Sequence, residues 1–230
     1  MKIFTWQQIP DSTITEILCN LKYDGVILDA EHSNFTSDSL YHCIQVAKLC
    51  KKEVCVRFTY LDETLIRTCL DAGIDYAIFS TVESREFCQR LVDTCKYPSF
   101  GGKRGQGLVR ENLWGSLPLA QKDVKVIAMI ETKNGVDNLS NMIDLPIDYF
   151  LIGMYDLSAS LGCVGQFDSL VFKEYIKKFK STLPPSRSAI HLVRNYEEVH
   201  DQFEFYALGM DTTVLYDSYK SMLKNFKGEK

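Results

Sequence analysis

Apolar residues along this chain fall into two alternating rhythms. Short β-branched or aromatic runs occur at Lys2–Trp6, Gly25–Leu28, Glu53–Arg57, Tyr76–Phe79, Lys125–Ile130, Tyr149–Ile152, Ala189–Leu192 and Phe205–Leu208. Between them lie longer stretches with apolar residues at helical spacing, such as Ser12–Asn20, Ser37–Cys50, Asp62–Ala72, Ser84–Cys95 and Phe172–Thr182. Near-continuous apolar strands indicate burial on both faces, as in a parallel sheet covered by helices. Eight such β/α alternations in 230 residues match a (β/α)8 TIM barrel at the compact end of its size range. A doubly wound open sheet is the competing architecture, but no Gly-rich dinucleotide fingerprint follows the first run. Nothing in the composition divides the chain, so one domain spanning residues 1–230 is expected.

One connection stands out. Between Thr81 and Asp123 the chain passes through a helix and then Pro98-Ser99-Phe100-Gly101-Gly102-Lys103-Arg104-Gly105-Gln106-Gly107. Glycine and basic residues at this density predict a functional loop. No Lys-Ser or Lys-Thr follows, which excludes a P-loop.

Composition narrows the function classes. A net charge of −4 with 24% charged and 46% hydrophobic residues is ordinary for a globular protein. No long basic stripe offers itself to nucleic acid, and Lys173, Lys177, Lys178 and Lys180 fit a solvated helix face. No apolar run approaches the roughly 18 residues of a membrane span. The first ten residues lack a signal peptide's apolar stretch, so a cytoplasmic protein is expected. The eight cysteines include no CxxC pair and several sit in apolar segments, which predicts free buried thiols rather than disulfides or zinc.

In a barrel, chemistry belongs to the loops that leave the C-terminal ends of the strands. Those ends carry Asp29-Ala30-Glu31-His32, Arg57, Glu131-Thr132-Lys133 and Gly153-Met154-Tyr155-Asp156. Glu131 and Asp156, from separate strands, suit a hard divalent ion such as Mg2+ or Mn2+ if they converge. Read singly, each has a plainer explanation. Asp156 fits a helix N-cap, Glu131 fits a surface partner for Lys133, and His32 fits a structural histidine. Arg57 at the end of an apolar strand needs a partner whatever its role.

Taken jointly, these residues resemble the HpcH/HpaI family of metal-dependent (class II) pyruvate aldolases, which is related to the citrate lyase β chain. The resemblance rests on Val26-Ile27-Leu28-Asp29-Ala30-Glu31-His32, Val56-Arg57, Leu70-Asp71-Ala72-Gly73, Ile130-Glu131-Thr132 and Gly153-Met154-Tyr155-Asp156-Leu157-Ser158. The Gly-Lys-Arg-Gly-Gln-Gly loop, Ile190-His191 and Gly209-Met210-Asp211 extend it over nearly the whole chain. His32 and Arg57 lie 25 residues apart, Arg57 and Asp71 14, and Glu131 and Asp156 25, in the family's order.

The resemblance implies that Glu131 and Asp156 hold a divalent metal (Mg2+, Mn2+ or Co2+) that chelates pyruvate. It further implies that Arg57 stabilises the enolate oxygen, that His32 is the general acid/base, and that Asp29 and Asp71 orient it. Backbone N–H groups at Gly153-Met154-Tyr155-Asp156 would receive the substrate carboxylate. A homo-oligomer is implied, trimer or hexamer, with the last helix swapped between subunits and Asp71 near an interface. Two positions depart from the family: Met129 where a Gln is frequent, and Met154-Tyr155 where Pro and a small residue precede the Asp. Tyr155 either points into the mouth, shaping a pocket for a hydroxylated aldehyde, or packs on a neighbouring helix. The expected activity is cleavage of a 4-hydroxy-2-oxo acid to pyruvate and an aldehyde, or the reverse. The rival readings are an acyl-CoA ester lyase, for which Lys103, Arg104 and Arg110 are the available cations, and a non-catalytic protein that binds a keto acid or sugar acid.

Overall fold

The computed structural model describes residues 1–118, 123–194 and 202–228. Eight parallel strands close into a barrel in sequence order: β1 (Lys2–Gln7), β2 (Gly25–Asp29), β3 (Glu53–Phe58), β4 (Tyr76–Phe79), β5 (Lys125–Ile130), β6 (Tyr149–Ile152), β7 (Ser188–Leu192) and β8 (Phe205–Leu208). The helices between them are α1 (Ser12–Cys19), α2 (Ser37–Leu49), α3 (Glu63–Ala72), α4 (Arg85–Cys95), α5 (Lys133–Asp137), α6 (Met154–Ser160) and α7 (Leu170–Thr182), with α8 (Asp211–Lys227) last. The architecture is the expected (β/α)8 barrel. Its helices start where short polar side chains satisfy free N–H groups: Asp11, Thr36, Asp62, Ser84, Thr132 and Ser169 each cap one.

The alternation of each strand splits the core into two. Val26, Leu28, Val54, Val56, Ala77 and Phe79 face outward and pack under the helices. Phe4, Trp6, Ile27, Cys55, Tyr76, Ile78, Ile127, Met129, Leu151, Ala189 and Phe205 face inward and fill the barrel. Because side chains repeat every second residue, the next inward position at each strand's C-terminal end is fixed. On β1 it is Gln8, on β2 Asp29, on β3 Arg57, on β4 Ser80, on β5 Glu131, on β6 Gly153 and on β7 His191. The polar mouth is the barrel's own inward phase carried one step past its apolar filling.

The N-terminal end is pinned differently. Asp24, Asp75 and Asp148, each just before an even-numbered strand, accept the first free N–H of the preceding odd strand, at Ile3, Val54 and Val126. The two chain ends are joined through the seam between β1 and β8. There the buried Asp211 carboxylate accepts the backbone N–H groups of Gln8 and Ile9, and Thr212 Oγ1 donates to Gln8 Oε1.

The long connection after β4 lies away from the mouth. Parallel strands require each connection to return to the N-terminal face, and this segment follows the end of α4. Gly102 sits so close to α4 that a Cβ would lie 2.1 Å from the Lys96 carbonyl oxygen. Arg104 is buried, 3.0 Å from Asp71 and 2.6 Å from Glu111, with its guanidinium 4.4 Å from the Tyr97 ring centroid. Lys103 pairs with Asp93, and Arg110 Nη1 donates to the Ala72 carbonyl. Within one chain the segment packs along the ends of α3 and α4, away from the mouth of its own barrel.

Candidate active site

Asp29 and Arg57 end neighbouring strands in register as Cα partners, so their side chains meet inside the mouth. Arg57 Nε donates to Asp29 Oδ1 at 2.8 Å and Nη2 to Oδ2 at 2.6 Å. Four further donors converge on the same carboxylate: Trp6 Nε1 at 3.0 Å, Gln8 Nε2 at 3.1 Å, and the backbone N–H groups of Glu31 and His32 at 3.1 and 3.2 Å. Burial pushes the Asp29 carboxyl upward, but the Arg57 hydrogen bonds and charge, with Trp6 and Gln8, outweigh it and hold the pKa at about 2. Asp29 is thus ionised and Arg57 is fixed by a planar, two-point grip.

Arg57 reaches a second carboxylate. Its Nη1 lies 2.7 Å from Glu31 Oε2, which also accepts from Ser80 Oγ at 2.7 Å. The His32 ring is exposed, with Nε2 3.8 Å from the same Glu31 oxygen. Asp29 therefore holds the His32 backbone, and Glu31 is the carboxylate that faces its ring. Spacing alone gives Glu31 no role. Its only signal was its place between Asp29 and His32 at a strand end.

Glu131 is buried on the opposite wall. Its Oε1 accepts from both the Thr81 N–H at 2.7 Å and Thr81 Oγ1 at 2.8 Å, with Thr81 held at φ 53° to present the two together. Burial raises the Glu131 pKa, and the charges of Asp156 and Glu31 raise it further against the Thr81 bonds. Gly153 makes room: a Cβ there would lie 2.6 Å from Glu131 Cβ and 2.8 Å from Oε2. Lys133 pairs with Asp137, not with Glu131. Asp156 sits exposed in the first turn of α6. Met129, one inward step below Glu131, belongs to the barrel filling and forms the floor.

Two carboxylates, Glu131 with its pKa raised and its Oε2 free of hydrogen bonds among the described residues, and the exposed Asp156, form a donor set that suits a hard divalent cation. They do not by themselves complete a cage: no group of three or more His, Cys, Asp or Glu side chains with ligating geometry occurs among the described residues.

Trp6 and His191 complete the wall. Their rings are parallel within 8° and 4.1 Å apart, and the Arg57 guanidinium lies over the indole at 4.8 Å. Burial lowers the His191 pKa to about 4.

The structure brings Asp29, Arg57, Glu131, Gly153 and Met129 together, with His32 and Asp156 at the rim. It does not bring Asp71 there, because Asp71 ends α3 at the far face and pairs with Arg104. Nor does it join Tyr155 to the charged cluster. That ring packs edge-to-face on Phe167 at 5.0 Å and, with Met154 and His191, lines a cleft beside α7. Lys103, Arg104 and Arg110 are committed at the far face and offer no cationic patch beside the mouth.

The chain belongs to the HpcH/HpaI aldolase/citrate lyase family, whose model matches residues 2–216. It is 26% identical over 242 residues to the 2-keto-3-deoxy-L-rhamnonate aldolase of Shigella dysenteriae, covering all of this chain and 90% of that one. Its fold is shared with the HpcH/HpaI aldolase of Desulfitobacterium hafniense (TM-score 0.88, 21% identity, 98% and 92% of the two chains). A family protein from Burkholderia cenocepacia has the same fold (TM-score 0.86, 22% identity, 98% and 94%).

Proposed function

We propose that the protein is a divalent-metal-dependent aldolase that cleaves a 4-hydroxy-2-oxo acid to pyruvate and an aldehyde, or runs the reverse addition. The observation that carries this reading is the Asp29–Arg57 grip facing the buried Glu131 across one mouth, in a chain of the aldolase family.

Of the five guanidinium N–H groups, three are engaged by Asp29 and Glu31. The other two remain to meet the 2-oxo oxygen, where negative charge develops as the enolate forms. A cation held by Glu131 and Asp156 (Mg2+, Mn2+ or Co2+) would act there as a Lewis acid and lower the cost of the enolate. The first N–H groups of α6, at Met154 and Tyr155, have no intrahelical acceptor and receive the substrate carboxylate. Gly153 leaves space for that approach. His32, beside Glu31 at the solvent edge, moves the proton of the 4-hydroxyl. Asp29 acts as a positioning residue, ionised across the working pH range. Met129 gives the pyruvate methyl an apolar floor.

The assembly is a homo-oligomer, trimer or hexamer, packed through α8. That helix lies off the barrel with Leu215, Tyr219, Met222 and Phe226 along one exposed face, an arrangement that suits burial against another copy. Any part played by Asp71 in a mouth comes from a neighbouring subunit. The eight unpaired cysteines, seven of them buried, support a reducing compartment, the cytoplasm.

The test is pyruvate release from a panel of 4-hydroxy-2-oxo acids after exhaustive chelation and again with added Mn2+, alongside C3 deuterium exchange of pyruvate. Release and exchange should vanish on chelation and return with the metal. Full activity without metal, or pyruvate trapped on a lysine by borohydride, would sink the mechanism.

A further inference from the structure

His191 is an inward residue of the mouth with no part in the chemistry above. It follows Ala189 in the inward phase of β7. In a closed ring of eight strands, β7 lies four strands round from β3, so His191 faces Arg57 across the opening. The Trp6 indole stands between them, 4.8 Å from the Arg57 guanidinium and 4.1 Å from the His191 ring. Both residues lie in the inward phase of the same mouth, so a 2-oxo acid anchored at Arg57 that reaches across the opening meets His191.

The ring is also set chemically. Its Nε2 lies 3.3 Å from the Gly209 carbonyl oxygen. A carbonyl only accepts, so the proton is on Nε2 and Nδ1 carries a lone pair. Nδ1 has no hydrogen-bond partner among the described residues, and the side chain is half-buried, open toward the cleft it shares with Met154 and Tyr155. Burial keeps the ring neutral, with its pKa lowered to about 4, so the lone pair is present at neutral pH. The ring stacks on Trp6, and the cleft it opens on carries the apolar Ile152, Met154 and Phe167 together with the charged Asp168, Lys180 and Arg194. A lone acceptor in such a wall is satisfied by a ligand donor or left wanting, which is the condition for strong selection.

We propose that His191 is the specificity-determining residue for the aldehyde half, its Nδ1 accepting a hydrogen bond from a hydroxyl of a hydroxylated aldehyde. This rests on the aldolase reading and specifies its acceptor class. It also moves the expected hydroxyl selectivity from Tyr155, whose ring packs on Phe167, to His191 in the same cleft.

The experiment compares matched aldehydes, glycolaldehyde with acetaldehyde and glyceraldehyde with propanal, in addition to pyruvate with Mn2+. It uses the native chain, His191→Leu and His191→Asn, and C3 deuterium exchange of pyruvate is measured on each preparation. The native enzyme should favour the hydroxylated member of each pair by about 10–100-fold in kcat/KM. His191→Leu should erase that preference with exchange unchanged, and His191→Asn, which keeps an acceptor oxygen, should restore part of it. Equal preference in the native and Leu chains would overturn the assignment. Retained exchange certifies that the Leu chain is folded; if exchange is lost, the Asn chain's preference decides. A native enzyme with no pyruvate exchange would remove the aldolase reading itself, an outcome distinct from either.

Discussion

Replacing Asp29 by Asn tests the centre of the mouth. The substitution is nearly isosteric, but it removes the charge that six donors converge upon. The new amide also points its own donors at Arg57 or Trp6. Breaking a buried ion pair from one side costs about 3–5 kcal/mol because the remaining charge loses its partner. Glu31, at 2.7 Å from Arg57, offsets part of that, so the lower end is expected. For a chain of this size about 3 kcal/mol lowers Tm by roughly 10 °C. A second signature follows from linkage. The Asp29 carboxyl titrates at about 2 in the fold against an ordinary 3.8, so its contribution is complete above pH 4. It is lost as pH falls from there through about 2, and amounts to about 2 kcal/mol at roughly 1.4 kcal/mol per unit. Denaturant unfolding at pH 7, 4 and 2 reads both effects, and Asp29→Asn should lack that acid-labile component. Its kcat/KM should fall about 10²–10³-fold as Arg57 loses its aim. Native stability at pH 7, with the native loss toward pH 2, would refute the claim that Asp29 holds Arg57.

Other substitutions separate the remaining roles. Arg57→Ala should stop both aldol cleavage and pyruvate proton exchange, whereas His32→Ala should slow cleavage by about 10²–10⁴-fold; full cleavage without His32 would eliminate it from the mechanism. Gly153→Ala should displace Glu131, since the added Cβ meets its Cβ at 2.6 Å, weakening Mn2+ binding in calorimetry while far-UV circular dichroism holds. Phe226→Glu combined with Met222→Glu should yield a smaller assembly in light scattering; an unchanged mass would place the interface elsewhere.

The barrel was legible because its signal is local. Each strand alternates between two buried faces, and the apolar runs at Tyr76–Phe79, Lys125–Ile130, Tyr149–Ile152 and Phe205–Leu208 mark those strands to the residue. The site was legible where a polar residue continues a strand's inward phase, as at Asp29, Arg57 and Glu131. Three features were not readable from spacing. Asp71 carries a family motif, but its helix returns it to the far face, where Arg104 takes it. The Gly-Lys-Arg-Gly-Gln-Gly run has the composition of a binding loop, and composition does not show that Gly102 lies against α4. Glu31 depends on which side chain turns toward Arg57, and that is decided by Ser80 and Arg57 from other strands.

The seam between the first and last strands also fixes the order in which the molecule can come into being. Gln8, which steadies Asp29, is itself held by Asp211 and Thr212, and β1 has no second neighbour until β8 arrives. During synthesis the barrel therefore carries two open strand edges, on β1 and on the last strand made, until β8 has left the ribosome. Such edges invite pairing with other chains, and contacts that span the full length close late. A nascent chain stalled before residue 205 should be inactive rather than partly active and should depend on chaperones to stay dispersed. In this barrel the first strand made is among the last to be fully paired.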